Sequence, residues 1–209
     1  MTTSKLKLFA FILILLIVGI AWISLSQKQY STDTRAYADV PDSSTPIPSL
    51  TVPQEIVTEV MDSPDGAQSL SMERQENGND FKYSFHILDE GLREFLYTKE
   101  LSSSRNMTIP YNTWSPDNKY FFLKESGLVQ DEYYVFHATG ENFPNLSQYI
   151  NVQELFNEKI DGYEITEVTG WADPVLLIVN TQEEDGDSKV SFWLDVRSQS
   201  FIKLGTYFR

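Results

Sequence analysis

The ten residues Trp114-Ser115-Pro116-Asp117-Asn118-Lys119-Tyr120-Phe121-Phe122-Leu123 contain a complete strand-turn-strand signal. Pro116 presets φ at the first central turn position, Asp117 follows, and Asn118 tolerates the left-handed backbone needed next. The apolar run Tyr120–Glu125 then reads as a strand. A polar hairpin, Ser126-Gly127-Leu128-Val129-Gln130, leads to a second β-type run, Glu132–Ala138.

The same order occurs twice more, and internal repeats outrank local signals. Ser63-Pro64-Asp65-Gly66 is a second copy of the turn, and Gly170-Trp171-Ala172-Asp173-Pro174 a degenerate third. First runs precede each turn at Glu55–Met61, Asn106–Thr113 and Tyr163–Thr169. Second runs follow at Ala67–Arg74, Tyr120–Glu125 and Val175–Thr181. Third runs lie beyond polar hairpins at Phe81–Leu88, Glu132–Ala138 and Lys189–Val196. Fourth runs come at Leu92–Thr98, Leu146–Ile150 and Phe201–Gly205. Four strands per unit, repeated about every 50 residues, is the mark of propeller blades. The units span about 55–98, 105–151 and 163–209. Between the second and third, Asn151–Gly162 predicts a short helix: Asn151 caps it, Glu154 sits three residues on, and Gly162 stops it. Val152, Leu155 and Phe156 share one face, suited to packing on blade edges; a partner-binding ridge is the alternative.

Trp-Ser-Pro-Asp-Asn-Lys-Tyr-Phe-Phe-Leu, followed by a hairpin and Tyr133-Tyr134-Val135-Phe136-His137-Ala138-Thr139-Gly140-Glu141, resembles the WD40-like blade of TolB-type propellers. It is similar also to the propeller domains of prolyl oligopeptidases and dipeptidyl peptidase IV. The resemblance covers residues 55–209 and is tightest in the middle unit. The family usually has Ser-Pro-Asp-Gly-Lys; here only the middle unit keeps the Lys, after Asn118. It implies an all-β fold of three four-stranded antiparallel blades with one inserted helix. The peptidase relatives contribute only the propeller, because their catalytic domain has no counterpart in this chain. Natural propellers have ~4–8 blades, so three invite three expectations. They are an open arc, two chains forming a six-bladed ring as a homodimer, or a remnant of a longer propeller, since Phe208-Arg209 follows the last run closely.

Outward from the repeats, composition sets the context. Leu8–Leu25 carries no charged residue. Its 18 residues, at ~1.5 Å each, span roughly 27 Å against a ~30 Å hydrocarbon core. Trp22 suits the outer interface, and Lys5 and Lys7 precede the run, which predicts a cytoplasmic N-terminus and an extracytoplasmic domain in the cell envelope. Residues 1–26 are read as a stub and transmembrane signal-anchor helix. A cleaved signal peptide is the main competitor, but Ser24-Leu25-Ser26 is a poor small-x-small site. A buried soluble helix suits so apolar a run badly. Residues 27–53, including Pro41-Asp42-Ser43-Ser44-Thr45-Pro46-Ile47-Pro48, read as a flexible tether, and residues 54–209 as the folded domain. All 30 acidic residues follow residue 26, against 14 of the 16 basic ones, a net charge of −16. Such a surface repels phosphate backbones, so nucleic acid is not an expected partner. With no cysteine, disulfides, thiol catalysis and Cys-ligated zinc are excluded.

Candidate chemistry is sparse. A Gly-x-Ser-x-Gly elbow, a P-loop and a dinucleotide fingerprint are all absent. No catalytic, cofactor-binding or metal-ligating residues are expected. His86 and His137 fall near the ends of third runs, where the third unit has Asp195 and TolB-like blades commonly have Asp; a hydrogen-bonding role orienting the next turn is expected. Glu183-Glu184-Asp185-Gly186-Asp187 reads as a solvated hairpin, with weak Ca²⁺ binding as the alternative. Trp114 and Trp171 read as blade-to-blade packing, with ligand stacking as the alternative. Asp131-Glu132 is too ordinary in an acidic chain to mark acid–base catalysis, and the sequons at Asn106 and Asn145 are given no role. The resulting expectation is a membrane-tethered, non-enzymatic module with a protein or peptide partner. A small-ligand or cation sensor is the alternative, and an unrecognised hydrolase a distant third.

Overall fold

In a computed structural model, residues 55–208 are described. The apolar run Leu8–Leu25 and the tether 27–53 lie outside the described residues. Among the described residues, no helix is long and apolar enough to cross a membrane. The chain forms three four-stranded antiparallel sheets, each a meander. The first holds β1 (Ile56–Asp62), β2 (Gln68–Asn77), β3 (Asp80–Asp89) and β4 (Leu92–Ser102). The second holds β5 (Asn106–Thr108), β6 (Tyr120–Ser126), β7 (Glu132–His137) and β8 (Tyr149–Asn151). Helix α1 (Val152–Lys159) follows, and then β9 (Tyr163–Asp173), β10 (Leu176–Glu183), β11 (Lys189–Asp195) and β12 (Ser200–Lys203).

The middle sheet is covered on both faces. Phe121, Leu123, Tyr134 and Phe136 pack with Leu70, Tyr83 and Phe85 of the first sheet. Their neighbours in sequence, Tyr120, Phe122, Tyr133 and Val135, pack with Val168, Leu177, Phe192 and Leu194 of the third. Side chains alternate across a strand, so a strand buried on both sides needs an unbroken apolar run. Tyr120-Phe121-Phe122-Leu123 and Tyr133-Tyr134-Val135-Phe136 are such runs. β3 alternates instead, with Tyr83, Phe85 and Ile87 buried and Lys82, Ser84 and His86 turned away.

The Ser-Pro-Asp turn is built identically in its first two copies. Ser63 Oγ donates to Asp65 Oδ1 at 2.8 Å and accepts from the Gln68 amide at 3.1 Å. Ser115 Oγ donates to Asp117 Oδ1 at 2.9 Å and accepts from the Tyr120 amide at 3.0 Å. Gly66 and Asn118 take the left-handed position, at φ 71° and 62°. The Ala67 amide, then Ser63, hold the Asp65 carboxyl below its ordinary value. In the third unit Ala172 stands in place of the serine, so β9 runs on to Asp173 and only Pro174 and Val175 separate it from β10.

Five expected runs are corrected. β2 runs to Asn77, not Arg74, and β4 to Ser102, not Thr98, carrying the first unit past 98, because both keep pairing with β3 as far as Asp80. β5 ends at Thr108, not Thr113, because the chain detours through Pro110, whose ring nitrogen carries no hydrogen to donate. It rejoins β6 through the Phe122 amide on Thr113 O, 3.0 Å. The fourth run of the middle unit begins at Tyr149, not Leu146: Asn145 Oδ1 accepts from the Ser147 amide at 3.1 Å, and Leu146 sits at φ 64° in the resulting turn. β9 is longer than expected for the reason just given. Helix α1 forms where predicted. Asn151 Oδ1 accepts from the Gln153 and Glu154 amides, at 3.1 and 3.2 Å. Phe156 inserts edge-on between Phe192 and Phe201, at 5.3 and 5.0 Å.

Ser115 is fully buried, so Ser115→Ala removes a donor and an acceptor and orphans the Tyr120 amide. Urea unfolding is expected to show a loss of about 1–3 kcal/mol. An unchanged midpoint would mean the turn is held by its backbone alone.

Candidate functional site

The segments that lead into the turns of the three units converge around a cavity of about 770 Å³. Met61 and Asp62 come from the first unit, Tyr111 and Trp114 from the second, and Gly170 and Trp171 from the third. Phe208, in the segment after β12, closes one wall. Both tryptophans do structural work here. Trp114 Nε1 donates to Met61 O at 3.1 Å, and Trp171 Nε1 donates to Thr113 O at 2.9 Å. Met61 and Thr113 are equivalent, each two residues before the turn serine. Each indole therefore ties its unit to the residue two before the turn in the unit before it, as expected of blade-to-blade packing. Their rings also wall the cavity, so the two readings of these residues describe different atoms of the same side chains.

Gly170 explains why units two and three approach so closely. At φ 141°, a Cβ there would lie 2.9 Å from the Asn112 Cβ. Asn112 Nδ2 donates to Thr169 O at 3.3 Å across the same contact. Tyr111, by contrast, is 87% exposed at the rim. That is unusual for an aromatic ring with no packing duty, and it offers a free face to a ligand.

A second feature joins units one and two. Glu125, 1% exposed, pairs with Lys99 at 2.5 Å and with Arg105. Arg105 also pairs with Glu132 at 2.8 Å, and the Tyr134 hydroxyl reaches Glu125 at 2.8 Å and Glu132 at 2.6 Å. Two cations meet two carboxylates, so the buried charge is balanced. Burial, then Glu132 and Glu125, push the Tyr134 phenol upward. Burial would raise the Glu132 carboxyl, but hydrogen bonds from Tyr134 and Arg105 outweigh it and hold it below its ordinary value. Charge-paired in this way, the cluster is an interface device.

The histidines part company. Register pairs Tyr120 with His137, Leu176 with Asp195 and Gln68 with Asp89. The first-unit equivalent is therefore Asp89, and His86 lies three residues earlier. Strand β3 extends one residue past its expected end, which misaligned the comparison by sequence. Asp195 performs the expected turn-orienting role, accepting from the Arg197 and Ser198 amides at 2.9 and 3.3 Å. His137 instead lies between the rings of Tyr120 and Phe143, tilted by 45° and 41° with centroids at 4.7 and 4.4 Å, and His86 contacts Arg93 at 3.0 Å. Among the described residues, no group of three or more His, Asp or Glu converges as a metal ion would require, Glu183–Asp187 included.

No protein-family model matches the chain, and no curated protein matches it. Among solved structures it is similar to the β-propeller domain of the Trilobed protease from Pyrococcus furiosus, described as having an open velcro topology. The TM-score is 0.40 at 14% identity, over 69% of this chain and 41% of that one. The described fold is propeller-like. That statement rests on three four-stranded antiparallel meanders packed face to face with one short helix.

Burial lowers the His137 imidazole below its ordinary 6.5, with Glu141 pulling the other way. The unfolded chain then takes up the proton first, so this contribution is complete above about pH 6.5 and is lost as pH falls. His137→Phe is expected to lose less stability than the parent between pH 7.5 and 5.0 in urea titrations. Equal losses would show that burial between the two rings does not oppose protonation.

Proposed function

We propose that this chain is a membrane-tethered, non-enzymatic interaction module of the cell envelope, built on a TolB-type propeller arc. Its docking site is the cavity where the segments leading into the three turns meet. The observation that carries the reading is the cavity's wall: aromatic rings from two units, the exposed Tyr111 and few charges, with Asp62 at its edge. Aromatic surface with scattered main-chain polar groups suits an extended protein segment better than a small charged metabolite. The sequence adds the apolar run Leu8–Leu25 and the tether 27–53, which would hold such a module near a membrane while letting it search. A homodimer closing a six-bladed ring remains compatible with this use of the cavity, which would then lie near a shared axis.

The test is site-specific photo-crosslinking in the full chain, with the probe at position 111 or, as a control, at Leu128, which is 86% exposed on a hairpin at the far end of β6. A discrete protein adduct is expected from 111 alone. Tyr111→Ala should weaken binding of that adduct's partner roughly tenfold, as for an aromatic anchor. Identical adducts at both positions would sink the assignment.

One observation favours a second reading, an extracytoplasmic small-ligand sensor. A polar cavity of about 520 Å³ lies between units two and three, lined by Asp131, Gln153, Tyr163 and Glu184. A thermal-shift screen with Ca²⁺ and envelope glycans should raise the Tm for at least one of them if this reading holds, and a flat screen removes it.

A further inference from the structure

The face of the third sheet turned away from the second carries two polar residues that are almost completely buried. Asn180 is 1% exposed and Ser191 is 0% exposed, and they are paired across β10 and β11. What covers them is the chain's own segment after β12. Ser191 Oγ donates to Asn180 Oδ1 at 2.6 Å and accepts from the Phe208 amide at 3.0 Å. Asn180 Nδ2 donates to Phe208 O at 2.7 Å. The Ser191 amide donates to Thr206 O at 3.0 Å. Both main-chain groups of one residue, and a carbonyl two residues earlier, are therefore read by a preformed pair of side chains and a strand amide. None of these bonds involves the side chain of Phe208, which is 39% exposed.

The repeat shows what this place is. Thr113 pairs with Phe122 through a main-chain bond in unit two, and Trp171 of the next unit packs there, its ring 6.5 Å from that of Phe122. In unit three the equivalent residues are Gly170 and Ile178, and Phe208 lines the aromatic-walled cavity together with them. Phe208 thus stands at the place that a following unit's tryptophan would take. One strand row away, the buried Trp193 Nε1 finds no acceptor among the described residues, so the face retains an unused donor.

We propose that Asn180 and Ser191 form a main-chain clamp for an extended peptide segment bearing an aromatic residue, filled in cis by Thr206–Phe208 and opened in trans by a partner's segment of the same chemistry. The cis occupant supplies the template: an extended backbone offering N–H and C=O from one residue, whose aromatic ring stands at that place. The proposal rests on the reading of the aromatic-walled cavity as a docking site, because withdrawing Phe208 removes one of that cavity's walls. Gly205, just before the clamped segment and with no neighbour within 4 Å of a Cβ position, is free to act as the pivot. Addition of an extended chain through main-chain bonds is a standard mode of peptide recognition. Tethering gives the cis segment a high effective concentration, so a partner must compete with it.

The experiment uses the full chain and a labelled synthetic peptide of residues 204–209. The peptide is expected to bind Phe208→Pro, which lacks both the aromatic ring and the amide hydrogen held by Ser191 Oγ, at least about tenfold more tightly than the parent chain. Adding Asn180→Ala to Phe208→Pro should abolish that gain. The same peptide N-methylated at its Phe should also lose at least about tenfold on Phe208→Pro, since the bond to Ser191 Oγ is gone; this arm alters no buried residue of the protein. No binding to a Phe208→Pro chain of unchanged circular dichroism would overturn the proposal. So would binding indifferent to Asn180 or to N-methylation. Tyr111→Ala is expected to leave peptide binding unchanged, so failure of the cavity reading and failure of the clamp give different results.

Discussion

The middle sheet has no face left for water, and the other two sheets are arranged around that fact. Burying both sides of β6 and β7 removes Phe121, Phe122, Tyr133, Tyr134, Val135 and Phe136 from solvent, each worth roughly 1.5–3 kcal/mol. Apolar contact is non-directional, so it does not by itself set how one sheet sits on the next. The indole bonds do. Trp114 on Met61 O and Trp171 on Thr113 O repeat one geometry at successive junctions. At the first junction the cluster of Lys99, Arg105, Glu125, Glu132 and Tyr134 adds a second directional constraint, because charges buried there are tolerable only when they meet.

These junctions also make the candidate site. The turn that follows each first strand places an aromatic residue or its equivalent at the same end of every sheet, so packing the sheets brings those ends together around one cavity. Tyr111 reaches the rim because Pro110 interrupts β5. The interruption costs the sheet several ladder bonds and yields an exposed ring at the cavity mouth. A local departure from regular structure at a binding face is the usual trade in such folds.

The two outward faces differ. That of the first sheet mixes polar residues, Ser69, Glu73, Ser84, His86 and Arg93, with the exposed Val60 and Phe95, and carries an Arg93–Glu73 pair at 2.7 Å. That of the third sheet is more apolar, with Ile178, Trp193 and Ile202 in register across three strands. The segment through Phe208 crosses it. The two outward sheets thus end differently: one in a mixed, exposed face and the other under a strap held through two buried side chains.

By itself the sequence determined the number and kind of elements, the three units, the helix and its Asn151 cap, and the packing role of Trp114 and Trp171. These are written in local periodicity, turn chemistry and repetition, which act over a few residues and survive without knowledge of the neighbours. The unbroken runs at 120–123 and 133–136 even carried the information that the middle sheet is buried twice. Only the tertiary structure decided the rest. The equivalence of Asp89 with His137 and Asp195 depends on register, and one residue of strand length changes it. The charge cluster around Glu125 joins residues as far apart as Lys99 and Tyr134, which no short window connects. The clamp of Asn180 and Ser191 on Phe208 depends on a strand pair and a later segment meeting on one face. Local signals specify elements because their interactions close within a turn or a hairpin; sites need side chains brought together by packing, and packing is set by the whole fold.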